Sequence, residues 1–212
     1  MLDHISVNYQ SSIRIKGSKV LYFDPVEIKE NRHDADYIFI THNHYDHFSP
    51  EAIEAVKKAS TKLIAPASMD LDLEVLEFDP KNIILMQPHE VKRFNDIQFL
   101  TTPAHNLNKT FHPRENNWLG YEVILDKTRY YISGDIDNIS HLLKIRPNIV
   151  FVPIGGHYTM NALEAADFVK ALGPDYAIPT HYGFIVGQVE DGQVFKEALE
   201  NTKTQVVLKA HQ

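Results

Sequence analysis

Residues 42 to 47 read His-Asn-His-Tyr-Asp-His, bringing three imidazoles and a carboxylate into one short segment. Imidazole nitrogens and carboxylate oxygens are ligands for hard to borderline divalent metals, and a spacing this tight lets one loop present several of them together. The run follows Tyr37-Ile38-Phe39-Ile40, an apolar stretch that reads as a buried strand, so the motif occupies the loop at a strand end. The chemistry expected there is metal-assisted hydrolysis, in which a coordinated water acidified toward ~7 attacks a carbonyl or phosphorus centre. No side-chain nucleophile is then needed, and the chain has no cysteine to offer as nucleophile, thiolate ligand or disulfide.

Four more candidates stand at the ends of other apolar runs, each in a turn holding Pro or Gly: Asp24 before Pro25, His105 after Pro103, Asp135 after Gly134, and His181 between Pro179 and Gly183. Asp24 reads either as a turn-initiating Asp or as the carboxylate that orients a ligand imidazole. The segment Asn106 to Asn117 has no periodicity and should be an irregular connection of the kind that forms binding loops. Asn106, Lys109, His112 and Arg114 within it, with His157 and Tyr182, are candidate donors to an anionic substrate, although Lys109 and Arg114 read equally as ordinary exposed charges. His4, His33, His89, His141 and His211 lack this context and read as non-ligands, and Trp118 reads as strand packing.

Positioning such residues falls to short strands and the helices after them. Ile5 to Tyr9, Ser12 to Lys16, Val20 to Phe23 and Tyr37 to Ile40 are rich in β-branched and aromatic residues and suggest a β-meander. Ser49-Pro50-Glu51 reads as a cap, a first-turn proline and an acidic start for a helix through Ala59. Strand character returns at Lys62 to Ala65, Ile83 to Met86, Glu90 to Phe94 and Ile97 to Thr101, with an acidic helical stretch at Met69 to Phe78 between the first two. Trp118 to Leu125 and Arg129 to Ile132 predict a hairpin, Ile139 to Ile145 a short helix and Ile149 to Pro153 a buried strand. Asn161 with Glu164 resembles a capping box for a helix closed by Gly173-Pro174. Tyr176 to Ile178, a helix near Val194 to Leu199 and a strand at Gln205 to Leu208 finish the chain. The economical arrangement is two packed sheets with helices outside, every candidate ligand lying on one rim.

The 212 residues are 43% hydrophobic, with no low-complexity tract, and suggest one domain over 1–212. A formal charge of −7 disfavours nucleic acid as a partner. The first residues lack a signal-peptide pattern and no apolar run approaches a membrane span, so a cytoplasmic protein is expected.

Taken together, these motifs resemble the metallo-β-lactamase-fold hydrolases of the binuclear type. The family's order of an Asp, His-x-His-x-Asp-His, a His, an Asp and a final His is matched by Asp24, His42-His44-Asp46-His47, His105, Asp135 and His181. Ile154 to Met160 and Ile178 to Gly183 are similar to the subgroup containing ascorbate-6-phosphate lactonase. The resemblance implies an α+β fold, a four-layer αβ/βα sandwich. It also implies two divalent metal ions, zinc, manganese or iron: His42, His44 and His105 on one, Asp46, His47 and His181 on the other, and Asp135 bridging. Asp46, Asp135 and His181 would then take part in hydrolysis of a small anionic ester, lactone or phosphodiester. Related proteins suggest a homo-oligomer. A nuclease acting on nucleic acid and a non-catalytic metal or metabolite binder are the alternatives, the former needing a basic groove that an acidic chain does not advertise.

Overall fold

A computed structural model describes residues 2–210; His211, expected to be a non-ligand, lies outside them. Among the described residues, thirteen strands form two sheets. The first runs in chain order through β1 (Ile5–Val7), β2 (Ile13–Lys16), β3 (Val20–Phe23), β4 (Tyr37–Phe39), β5 (Lys62–Pro66) and β6 (Ile83–Met86). The second places β13 (Gln205–Val206), β12 (Tyr176–Thr180), β11 (Ile149–Pro153), β10 (Thr128–Ile132), β9 (Leu119–Leu125), β8 (Gln98–Pro103) and β7 (Val91–Arg93) side by side.

Period-two alternation decides which face each side chain serves. Leu21 and Phe23, Tyr37 and Phe39, and Ile64 point into the core shared with the second sheet, while Tyr22, Ile38, Leu63 and Ala65 point outward. That outer face is covered by helix α1 (Pro50–Val56), through Ile53 and Val56, and by 3-10 turns carrying Met69 and Leu73. Helices α2 (Ala162–Leu172) and α3 (Asp191–Ala198) bury Phe168, Val169 and Phe195 against the second sheet. The four layers expected from the resemblance are therefore present. Phe39 ties the sheets together, stacked on Phe23 at 4.8 Å and edge-on to Phe99 and Tyr121 at 5.1 Å each. Burying one such ring stabilises the fold by about 1.5–3 kcal/mol.

The meander expectation fails after β3, which pairs with β4 in parallel rather than antiparallel. The excursion from Asp24 to Asp36 carries the chain back to the starting edge, so β3 and β4 both end at one rim. Asp24 consequently lies beside the His loop, its backbone N–H donating to Phe39 O at 2.9 Å. In the second sheet β8, β10, β11 and β12 share one direction, so their C-terminal ends meet the same rim.

Local signals agree with the elements where side chains can act on the backbone. Ser49 caps α1, which stops at Val56 rather than Ala59. Asn161 and Glu164 form the reciprocal capping box of α2, and Gly173 ends it at φ 63°. Asp126 and Lys127 both take positive φ, as the two central residues of a tight right-twisting hairpin must. The stretches expected as helices around Met69 to Phe78 and Ile139 to Ile145 are shorter 3-10 turns, Asp72–Val75 and Ser140–Lys144 among them. No helix of the described residues is long and apolar enough to cross a membrane.

Candidate metal centre

The rim gathers His42, His44, Asp46 and His47 from the loop after β4 with His112, Asp135 and His181 from the second sheet. Among the described residues, three sets of possible ligand atoms each lie within 4.8 Å of one another: His42 with His44 and His112, His42 with His47 and Asp135, and Asp46 with His47 and His181. Shared members link the sets into one cluster. Asp135 is its hub, with Oδ2 3.2 Å from both His112 Nε2 and His181 Nε2, and Oδ1 3.5 Å from His47 Nε2.

The surrounding bonds fix which ring nitrogen faces inward. Asp24 Oδ2 accepts from His47 Nδ1 at 2.8 Å and from Thr41 Oγ1 at 2.6 Å, while its Oδ1 accepts from Thr41 N at 2.7 Å. With Nδ1 bonded to the Asp24 carboxylate, His47 turns its Nε2 to the cluster. Thr41 Oγ1 lies 2.9 Å from His42 Nδ1. Asn106 Oδ1 accepts from both the backbone N–H and Nδ1 of His112 at 3.1 Å, turning His112 Nε2 toward Asp135. Gln10 Nε2 donates to Asp46 Oδ2 at 3.2 Å, and Gln10 O accepts the backbone N–H of His181. His181 itself sits at φ 56°, a costly conformation for a non-glycine residue, which aims its ring along the rim.

Burial and neighbours shift the titration of these groups. Burial and the adjacent His47 hold His42 well below the usual imidazole value, and burial with His112 lowers His44. His47 goes the other way: burial opposes its charge, but Asp135 and Asp24 outweigh that and raise it well above the ordinary value. Burial would raise Asp135 and Asp46, yet their His partners, His181 and His47 foremost, hold both carboxylates below the usual range. Burial pushes Asp24 up against the opposing donors His47 and Thr41.

Buried polar atoms without a hydrogen-bond partner include His47 Nε2, His112 Nε2 and Asp135 Oδ1, all within the cluster. Leaving such atoms unpaired is expensive in a folded protein. Imidazole nitrogens and carboxylate oxygens turned toward one another, several of them without a hydrogen bond, are the donor set that divalent cations satisfy, so the residues fit the implied metals.

Not every candidate residue reaches the cluster or its cleft. His105 belongs to none of the three sets; its Nδ1 lies 2.9 Å from Asn106 O, and His112 occupies the position beside His42 and His44. The substitution follows from the chain path, since the loop after His105 folds back through Asn106 to bring in a residue seven positions later. Tyr182 is buried beneath α3, where a Cβ on Gly192 would stand 2.7 Å from its hydroxyl, so it does not reach the cleft. Lys109 is paired with Asp137, and Arg114 faces a different cavity. His157 stands exposed against Tyr158 and Phe111 at the rim, and Asn106 serves His112 and Tyr158 O. The cleft over the cluster, about 280 Å³, is lined by His44, Asp46, His112, Asp135 and His181 below and by Tyr45, Phe111, Tyr158 and Ile185 above. Gln10 and Thr41 were not foreseen, because a lone Gln in a turn and a Thr before a His carry no pattern.

A family model described as a beta-lactamase superfamily domain matches residues 6–181. A UPF0173 protein of Pyrococcus abyssi is 32% identical over 208 residues, covering 93% of this chain and 90% of that one. A UPF0173 metal-dependent hydrolase of Thermococcus onnurineus is 26% identical, covering 94% and 93%. The crystal structure of a candidate metal-dependent hydrolase from Parabacteroides distasonis superposes with a TM-score of 0.81 at 26% identity, covering 98% of this chain and 93% of that one. With that match across most of its length, and with a His and Asp cluster on the rim of a two-sheet sandwich, this chain belongs to the beta-lactamase superfamily.

Proposed function

We propose that this protein is a hydrolase that holds two divalent cations, one through His42, His44 and His112 and the other through Asp46, His47 and His181, with Asp135 shared. The observation that carries this reading is the Asp135 carboxylate, whose two oxygens reach imidazoles from both sets at 3.2–3.5 Å. A shared carboxylate offsets the mutual repulsion of two close dications. Nitrogen and oxygen donors without thiolate suit zinc, manganese or iron. When bound, such a pair supplies an acidified water and Lewis-acid polarisation of a carbonyl or phosphoryl oxygen.

The chain's own contribution is orientation and proton handling. Asp46, held ionised and steadied by Gln10 Nε2, is the carboxylate that can orient a water or take up its proton at Oδ. Tyr45, Phe111, Tyr158 and Ile185 offer an apolar wall, and no Lys or Arg lines the cleft among the described residues. This supports a small ester, lactone or phosphodiester with an apolar part on that wall, any negative charge being met by the dications. A cleft of this size without cations does not suit a nucleic-acid backbone.

Metal analysis combined with a hydrolysis panel of small esters, lactones and phosphodiesters, each with and without an apolar substituent, tests the reading. The wild type should carry two metals and favour the apolar-substituted substrates, while Asp135→Ala should stay folded and lose metal and turnover together. Full metal content in Asp135→Ala would overturn the shared-ligand assignment. A fully metallated wild type inert across the panel would favour a binding role instead.

A further inference from the structure

The three histidines assigned above to one cation each need a ring nitrogen held inward, and the group that does the holding differs among them. Thr41 Oγ1 meets His42 Nδ1 at 2.9 Å, and Asn106 Oδ1 meets His112 Nδ1 at 3.1 Å. His44 is held otherwise. Its Nδ1 lies 3.1 Å from His42 Nε2, inside the ligand set, and no other group hydrogen-bonds to it among the described residues. An imidazole that is only half-buried and free to turn has to be ordered as a ligand arrives, and that ordering costs affinity.

Where a hydrogen-bonding partner for His44 would stand, the structure has the indole of Trp118. It packs on all three imidazoles at once, 4.8 Å from His42, 4.9 Å from His44 and 5.6 Å from His112, at steep angles of 76° and 68° to the last two. Edge-to-face contacts of this kind are directional, so a rotated imidazole forfeits them. Trp118 is the one aromatic ring outside the ligand set that packs on His44 among the described residues. The indole is itself fixed. It is 6% exposed, Ala104 N–H donates to Trp118 O at 2.9 Å, and Leu119 N–H donates to Thr41 O at 3.0 Å. The last bond ties the start of β9 to the residue before His42, so the indole and the His loop keep one spacing across the two sheets. Strand packing, the role its sequence context suggests, accounts for the burial of Trp118. It does not account for aromatic contacts that, among the described residues, all fall on His42, His44 and His112.

We propose that Trp118 is a positioning residue for this cation: its indole fixes the ring plane of His44, as Thr41 and Asn106 fix those of His42 and His112. The inference rests on the assignment of His42, His44 and His112 to one cation.

Zinc binding to the metal-free protein, measured in competition with a chromophoric chelator, tests it without any turnover. The wild type should bind zinc in two steps, and His44→Ala identifies the relevant step by weakening it. Trp118→Leu should weaken that same step about tenfold to hundredfold and leave the other within about twofold. Trp118→Phe, which keeps a smaller ring in place, should fall between the wild type and the leucine variant. In a His44→Ala background Trp118→Leu should add nothing, because the ring it orients is gone. A side chain that served only the packing of β9 would lower the thermal midpoint of the metal-free protein, weaken both steps alike, and act equally with and without His44. That pattern, or wild-type zinc affinity in either Trp118 variant that folds, would overturn the proposal. A wild type that binds a single zinc, lost in His44→Ala, would overturn the two-cation reading alone, and Trp118 is then judged on that one step. Wild-type zinc affinity in His44→Ala would overturn both.

Discussion

Asn106 sets the roles of two histidines at once, through its side-chain oxygen for His112 and its backbone carbonyl for His105. His105 directly follows a strand and matches the family order, whereas His112 lies in a stretch without periodicity. Yet Asn106 Oδ1 takes the Nδ1 proton of His112 and so turns its Nε2 lone pair to the cluster, while Asn106 O occupies Nδ1 of His105 on another cavity. His112→Ala should therefore lose one of the two metals and turnover, and His105→Ala should retain both metals, as read by atomic emission on the purified proteins. The opposite result would restore the sequence-based assignment. Asp24 acts one bond further out. Asp24→Asn keeps the shape but weakens acceptance from His47 Nδ1, and the expected cost is a tenfold to hundredfold loss in metal affinity with the fold intact. Competition with a chromophoric chelator measures it.

At the scale of the elements, the turn after β12 depends on how closely β11's exit loop can approach it. A Cβ added to Gly155 would stand 2.3 Å from the carbonyl oxygen of His181 and 2.7 Å from Val186 Cγ1. Backbone cannot yield as a flexible side chain does, so Gly155→Ala should cost about 1–3 kcal/mol and displace His181, lowering metal affinity as well as stability. Gly173→Ala is the matched control. Its φ of 63° is strained for alanine by about 1–2 kcal/mol, but an added Cβ meets only the end of the Lys203 side chain, at 3.6 Å, and the site is the end of α2. It should lower the thermal midpoint without touching metal affinity, and equal effects on affinity from both variants would defeat the argument. Such contacts are invisible in sequence, whereas the elements themselves were largely legible. Val20–Phe23 and Ile149–Pro153 declare themselves as apolar runs, and Asn161 with Glu164 announces α2, because there the side chains act on their own backbone. The parallel pairing of β3 with β4, the folding back of the loop onto His112, and the burial of Tyr182 beneath α3 depend on contacts between distant segments, which no local pattern encodes.

Across the whole molecule, the cluster joins the two sheets: His42, His44, Asp46 and His47 follow β4 of the first, and His112, Asp135 and His181 follow strands of the second. Cations held there bind the folded arrangement and not the separated one, so chelation should destabilise the protein. At free metal a thousandfold above the dissociation constant the linkage is worth about 4 kcal/mol, which for a chain of this size is roughly a 10 °C shift in Tm. The shift should depend on pH with a definite sign. His42 and His44 are held below the ordinary imidazole value and have no proton to surrender near neutrality. His47 is raised well above it by Asp135 and Asp24, so metal must displace its proton and affinity should climb as pH rises, by at most about tenfold per unit for one proton. In the metal-free protein the same raised value gives stability that is full below the unfolded imidazole's value and is lost as pH climbs through the folded one. The gap in Tm between loaded and chelated protein should therefore widen from pH 6 toward alkaline pH, and differential scanning calorimetry of both forms across that range reads it directly. A gap that is constant or narrows with pH would mean that His47 surrenders no proton to the metal, and the assignment of Asp46, His47 and His181 as one cation's ligands would have to be abandoned.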